Sequence, residues 1–159
     1  MKHRILFVCL GNICRSPAAD AVMHKMVADR GLADKFEIDS AGTYGGHAGE
    51  LPSEDMQIAG SARGYRVNHR SRQFRREDFH RFDMIIVMDD VNYEDVCRKA
   101  PDRSMLDKVY RMAEYCRKFD VDHVPDPYYQ GIDTYKYVLD IIEDACAGLL
   151  DSLTAGKQV

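Results

Sequence analysis

Residues Arg4 to Asp20 read RILFVCLGNICRSPAAD: an apolar run, then eight residues from Cys9 to Ser16, then a proline that opens a helical pattern. Arg4 to Val8 predicts a short buried strand, and Ser16 with Pro17 predicts the N-cap and first residue of a helix running to about Arg30. Cys9 to Ser16 is therefore the turn between them. Gly11 and Asn12 suit it, since these two residue types adopt a left-handed backbone most readily. Such a junction gathers backbone N–H groups at the positive end of a helix dipole, which is a site for a tetrahedral oxyanion. Leu10, Gly11, Asn12, Ile13, Cys14, Arg15 and Ser16 are its expected lining.

Within that cradle the N–H dipoles and the guanidinium of Arg15 favour thiolate over thiol at Cys9, which makes it the expected nucleophile. Arg15 can hold two phosphoryl oxygens bidentately, more strongly as charge spreads in the transition state. Ser16 can hydrogen-bond the sulfur and help it leave. A cysteine ending a strand is ordinarily core packing. The preceding strand, the Gly-Asn turn and the Ser-Pro helix start together favour the phosphate loop.

The second candidate lies at Val124 to Gln130, VPDPYYQ, where two prolines hold Asp126 in an extended loop. An Asp-Pro pair alone is an ordinary turn. Opposite a thiolate loop, its carboxyl can protonate a departing ester oxygen and later take a proton from water. Tyr128 and Tyr129 are expected to wall a cleft for an aryl phosphate, unless they are core aromatics.

Between these motifs strands and helices alternate. Strands are expected at Phe36–Asp39, Phe82–Met88 and Lys108–Met112, with helices from about Pro52 to Arg63 and from Val91 to Lys99. In a long C-terminal helix Tyr135, Val138, Leu139, Ile142, Cys146, Leu149 and Leu153 recur at helical spacing as a core stripe, and the tail from Thr154 is expected to fray. This order implies a parallel sheet covered on both faces, with the ligand beyond the carboxyl ends of its strands.

With 159 residues, 45% of them hydrophobic and 30% charged, the chain suits one domain over residues 1–159. A net charge of −4 gives no general attraction to nucleic acid or acidic membranes. The basic run around residues 69 to 77, HRSRQFRRE, is expected to be a solvated face. No stretch suits a membrane span or secretory leader, so membrane insertion is not expected and a cytoplasmic location is. Five cysteines argue against a disulfide framework. Cys9 and Cys14 share one loop, so a disulfide between them is expected to trap oxidation of the nucleophile. No metal is expected, because no cysteine or histidine pair has zinc-like spacing, and no nucleotide motif or cofactor pattern appears.

The chain resembles the low-molecular-weight protein tyrosine phosphatases through CLGNICRSP and DPYY. SAGT at Ser40 to Thr43, HRSRQ at His69 to Gln73, DF at Asp78, FDMIIVMD at Phe82 to Asp89, and Asn92 extend the likeness to essentially the whole chain. The resemblance implies a flavodoxin-like three-layer α/β sandwich with a central four-stranded parallel sheet. It also implies a cytoplasmic enzyme that cleaves phosphotyrosine through a cysteinyl-phosphate. It assigns Cys9 as nucleophile, Arg15 as phosphate clamp and Asp126 as acid then base. Asn12, Ser16, Ser40 and His69 are implied as a hydrogen-bond network supporting the loop.

Partners implied are phosphotyrosine proteins and a tyrosine kinase acting on Tyr128 and Tyr129, with the chain a monomer or weak dimer. Where many relatives carry an aromatic pocket wall, this chain has Gly46, so either Tyr44 swings in as substitute or the pocket is open on that side to bulkier or flatter phosphate esters; Ser53 and Asp55 replace a familiar aspartate and arginine. The pocket residues are thus Ile13, Tyr44, Tyr128 and Tyr129. Rival readings are an arsenate reductase, a protein arginine phosphatase and a non-catalytic phosphotyrosine-binding module. Met88 stands where an arsenate relay would need a cysteine, leaving only Cys97 nearby. Apolar Ile13 suits an aromatic ring better than the threonine typical of arginine phosphatases.

Overall fold

The computed structural model describes residues 2–154. Four strands, β1 (His3–Cys9), β2 (Phe36–Gly42), β3 (Met84–Val87) and β4 (Val109–Arg111), form one parallel sheet in the order β2-β1-β3-β4. The helices are α1 (Arg15–Asp29), α2 (Glu54–Ser61), the single turn α3 (Asp78–Arg81), α4 (Asp90–Arg98) and α5 (Ile132–Thr154). This is the expected three-layer α/β sandwich.

The two apolar faces of β1 explain the layers. Ile5, Phe7 and Cys9 point into a core shared with α1, α2 and α5, while Leu6 and Val8 point into a second core with Phe79 of α3 and Val96 of α4. Because side chains alternate along a strand, a run buried at every position must be covered on both sides. β3 repeats the pattern, with Ile86 in the first core and Ile85 and Val87 in the second. The α5 stripe is buried from Tyr135 to Leu149, with Leu153 packed at its edge. Each CH₂ so removed from water contributes about 0.8 kcal/mol.

Boundaries differ from expectation where local chemistry is diverted. α1 begins at Arg15 with Cys14 as its N-cap, so Ser16 lies inside the helix and does not cap it. The Ser16 hydroxyl is engaged by Cys9 and Asn12 instead. Pro17 therefore stands third in the helix, still among the positions whose N–H has no intrahelical partner. α2 is shorter than expected, from its cap Ser53, whose hydroxyl accepts from Met56 N. β3 starts at Met84 because Phe82 is the extended residue ending α3. Thr154 closes α5; the rest of the tail expected to fray, residues 155–159, lies outside the described residues. No helix among them is long and apolar enough to cross a membrane.

Strand order places the site. Its reversal between β1 and β3 opens a crevice at their carboxyl ends. The loop after β1 and Asp89 after β3 meet there. The segment carrying Asp126 is drawn over the same edge by a hydrogen bond from Val124 N to Met88 O, 2.8 Å.

Candidate active site

Between Cys9 and Arg15 the chain turns through Asn12 at φ 57°, the left-handed conformation expected of it. Side chains hold this turn from two directions. Asn12 Nδ2 donates to Ser16 Oγ (2.7 Å) and Ser40 Oγ (3.1 Å). Its Oδ1 accepts from Arg72 N (3.1 Å), and its carbonyl accepts from Ser71 Oγ (2.6 Å). Asn12, Ser16, Ser40 and Ser71 are all buried, so each bond works in low dielectric and each lost partner leaves a costly orphan. Gly42 lets the end of β2 approach the turn: a Cβ there would lie 2.7 Å from Leu10 O.

Cys9 is buried at the end of β1, with its Sγ 3.0 Å from Ser16 Oγ and accepting from Ser16 N at 3.5 Å. Arg15 is only 2% exposed. Its Nη1 donates to Asp89 Oδ2 (2.7 Å) and to Val124 O (2.9 Å), and its Nη2 lies 3.7 Å from Asp126 Oδ2. Its Nε is buried with no partner. Burial works against the guanidinium charge, but Cys9, Asp89 and Asp126 together outweigh it and push its pKa up. Asp89 is fixed in turn by capping α4, its Oδ1 accepting from Asn92 N at 2.8 Å.

Asp126 is partly exposed on the opposite lip, where its Oδ1 accepts from Tyr128 N at 3.1 Å. This Asx-type turn and the flanking prolines leave the carboxyl little freedom. Cys9, Leu10, Gly11, Ile13, Cys14, Arg15 and Asp126 line one cleft of about 150 Å³, whose walls are Tyr44, His47 and Tyr128.

The structure thus gathers Cys9, Arg15, Asp126, Ile13, Tyr44 and Tyr128 at one cleft. Tyr129 does not line it; at φ 64° and 87% exposed it leans on Tyr128, with ring centroids 4.1 Å apart. Tyr44 folds over Gly46, where a Cβ would fall 2.1 Å from its hydroxyl, so a side chain at 46 and this pose of Tyr44 exclude each other. The mouth on that side is therefore walled. His69 stands behind the loop support, with Nδ1 3.6 Å from Asp39 Oδ1 and 3.7 Å from Asp20 Oδ2. Cys14 donates to Ser53 Oγ (3.4 Å) and lies 3.6 Å from Tyr135 Oη; burial pushes its thiol up to about 11.

Residue types and spacing did not single out several contributors. Asp89, Ser71, Arg72 and Gly42 lie within the motifs FDMIIVMD, HRSRQ and SAGT, yet their roles follow only from contacts across the sheet. His47 gave no sequence signal. It packs edge-on against Tyr128 and Tyr44, with Nδ1 3.2 Å from Glu50.

Comparison with known proteins agrees with this geometry. A family profile described as "Low molecular weight phosphotyrosine protein phosphatase" matches residues 4–159. The low molecular weight protein-tyrosine-phosphatase of Streptomyces coelicolor is 40% identical over 94% of this chain and 93% of its own. The human low molecular weight phosphotyrosine protein phosphatase is 34% identical over 92% and 93%. A crystal structure of the Entamoeba histolytica protein tyrosine phosphatase, with Hepes in its active site, superposes with a TM-score of 0.94 at 42% identity, covering 98% of this chain and 99% of that one.

Proposed function

Since the chain belongs to the low molecular weight phosphotyrosine protein phosphatase family, we propose that it hydrolyses phosphotyrosine in proteins through a cysteinyl-phosphate intermediate. The observation that carries the reading is Arg15: a buried guanidinium, locked by Asp89 and Val124, with an unpartnered Nε, a charge interaction with Cys9, and Nη2 3.7 Å from Asp126 Oδ2. A buried cation with a free donor is prepared for an anion.

In the first step the Cys9 thiolate attacks phosphorus. The sulfur–phosphorus bond forms, the bond to the aryl oxygen breaks, and Asp126 gives that oxygen its proton. Arg15 and the N–H groups of the loop stabilise the equatorial oxygens, where charge accumulates. In the second step water attacks phosphorus, Asp126 takes a proton from it, and the sulfur leaves as thiolate with Ser16 beside it. Inorganic phosphate and tyrosine are the products. These steps ask for no metal or cofactor from the protein.

The walls favour tyrosine as leaving group: Ile13, Tyr44 and Tyr128 present apolar and aromatic surface to a flat ring. Arsenate reduction is less well served. Cys97 packs with Tyr93 into the second core, across the sheet from the core that holds Cys9, while Met88 is buried.

The test is hydrolysis of phosphotyrosine, phosphoserine and phosphoarginine peptides in the presence of a chelator. Phosphotyrosine alone is expected to turn over, Cys9→Ser to abolish activity, and Asp126→Asn to lower kcat by roughly 10²-fold or more. A preference for phosphoarginine, or thiol-dependent arsenate reduction without phosphatase activity, overturns the assignment.

A further inference from the structure

A turn at residues 47–50 stands between the two segments that the proposed reaction must hold together. On one side the His47 ring rests on the phosphate loop at Gly11, where an added Cβ would lie 3.2 Å from its Cδ2. On the other it meets the Tyr128 ring edge-on, with centroids 6.4 Å apart at 69°. Tyr128 N in turn donates to Asp126 Oδ1 at 3.1 Å. On the phosphatase reading, we propose that His47, oriented by Glu50, is a positioning residue that sets the placement of the Asp126 carboxyl over the phosphate loop.

The turn is a rigid mount. Glu50 N donates to His47 O at 2.9 Å, and Gly49, third in the turn at φ 86°, takes a conformation that favours glycine. Ser71 grips the turn in both directions: Gly49 N donates to Ser71 O at 2.8 Å, and Ser71 N donates to Glu50 O at 2.9 Å. Ser71 Oγ also donates to Asn12 O at 2.6 Å, so turn and phosphate loop hang from one support. Closing the turn brings its first and fourth residues together, and His47 Nδ1 lies 3.2 Å from both Glu50 carboxylate oxygens. A carboxylate only accepts, so Nδ1 carries the proton and the ring orientation is set. A second edge contact, to Tyr44 at 5.9 Å and 81°, steadies the ring.

The acid needs an anchor on this side. Before Asp126 the segment is tied through Val124, whose N donates to Met88 O and whose carbonyl accepts from Arg15. Beyond Asp126, Tyr129 turns into solvent and Tyr128 leans on His47. Asp126 Oδ2 stands 3.7 Å from Arg15 Nη2, too far for a hydrogen bond to fix the carboxyl. An edge-on aromatic contact is directional as well as apolar, so removing the imidazole frees Tyr128 and, through its N–H, Asp126. Such a shift acts on proton transfer to the leaving oxygen and leaves Cys9 and Arg15 in place.

The test compares wild type with His47→Ala on aryl phosphates whose phenols span a range of acidity. It reads kcat/KM, which ends at departure of the phenol. His47→Ala is expected to lose about tenfold on phosphotyrosine and phenyl phosphate, and little on p-nitrophenyl phosphate, whose phenolate departs most readily without a proton. In an Asp126→Asn background the same substitution is expected to cost nothing further, because both changes act on one proton. Hydrogen exchange gives a reading independent of turnover: amides at residues 126–130 are expected to exchange several-fold faster in His47→Ala, with exchange elsewhere unchanged. Unchanged kcat/KM on phenyl phosphate, an equal loss on every ester, a loss additive with Asp126→Asn, or unchanged exchange at 126–130 overturns the proposal and leaves the phosphatase reading standing. A wild type that turns over none of the esters overturns that reading, and the role given to His47 falls with it.

Discussion

Replacing Gly42 by alanine tests how tightly the end of β2 constrains the phosphate loop. The added Cβ would meet Leu10 O at 2.7 Å and Asn12 N and Cβ at 3.0 Å, whereas ordinary contacts begin near 3.4 Å. Two of these three atoms are backbone, so no side-chain rotation relieves the overlap; either strand or loop must withdraw by about 0.7 Å at the tightest contact. Gly42 has no positive φ, so the effect is steric. A misplacement near 1 Å in a catalytic constellation costs on the order of 10²-fold in rate. A tenfold to hundredfold fall in kcat/KM on a phosphotyrosine peptide is therefore expected, about 1.4–2.7 kcal/mol of transition-state stabilisation. Overpacking should also lower stability by about 1–3 kcal/mol. Gly31→Ala is the control. Gly31 ends α1 at φ 69° with nothing within 4 Å of a new Cβ, so this variant should lose about 1–2 kcal/mol of stability while keeping wild-type kcat/KM. Steady-state kinetics and thermal melting of both variants suffice. If Gly42→Ala keeps wild-type kcat/KM, or if Gly31→Ala loses as much activity, the loop is not held by this close approach and the reasoning fails.

Ser16→Ala removes the hydroxyl 3.0 Å from Cys9 Sγ and one acceptor of Asn12. It should slow release of the sulfur most, seen as a larger burst of aryl product before a slower steady state; an unchanged burst would refute that role. Asp89→Asn deprives the Arg15 guanidinium of its charged partner while keeping a hydrogen-bonding shape. It should weaken inhibition by inorganic phosphate and lower kcat/KM by about tenfold or more, the worth of a charge-assisted bond near 1.5–3 kcal/mol; an unchanged inhibition constant would exclude Asp89 as the anchor. Mild peroxide should link Cys9 to Cys14. Because burial pushes the Cys14 thiol up to about 11, its thiolate fraction grows with every step toward that pH, so closure after Cys9 is oxidised should accelerate as pH rises through 7 to 9. Peptide mapping that finds no linked peptide, or a rate indifferent to pH, would contradict this.

The parts legible in sequence were those built by neighbours in the chain. In CLGNICRSP the proposed nucleophile, the left-handed Asn12, the arginine and the helix start lie within nine residues, so turn chemistry and helix geometry placed Cys9 and Arg15 together without knowledge of the fold. Asp126 was legible because two prolines restrict its backbone, and the alternation of apolar runs with helical stripes indicated a parallel sheet covered on both faces.

The rest depended on which strands became neighbours. Asp89 follows Arg15 by 74 residues and reaches it only because β3 pairs with β1. Ser71 and Arg72 grip Asn12 because residues around Gln73 bridge to Gly42 at the end of β2. The wall formed by His47, the fold of Tyr44 over Gly46 and the turning of Tyr129 into solvent are loop packing, set by contacts between segments with no shared periodicity. The convergence of Asp20, Asp39 and His69 has the same origin: a helix, the middle of β2 and a loop brought together by parallel register. Sequence by itself determined the reactive loop, since its geometry is local; tertiary structure alone decided what holds the arginine, what closes the cleft and what gathers behind it, because those contacts exist only after β1 has found its partners on both sides.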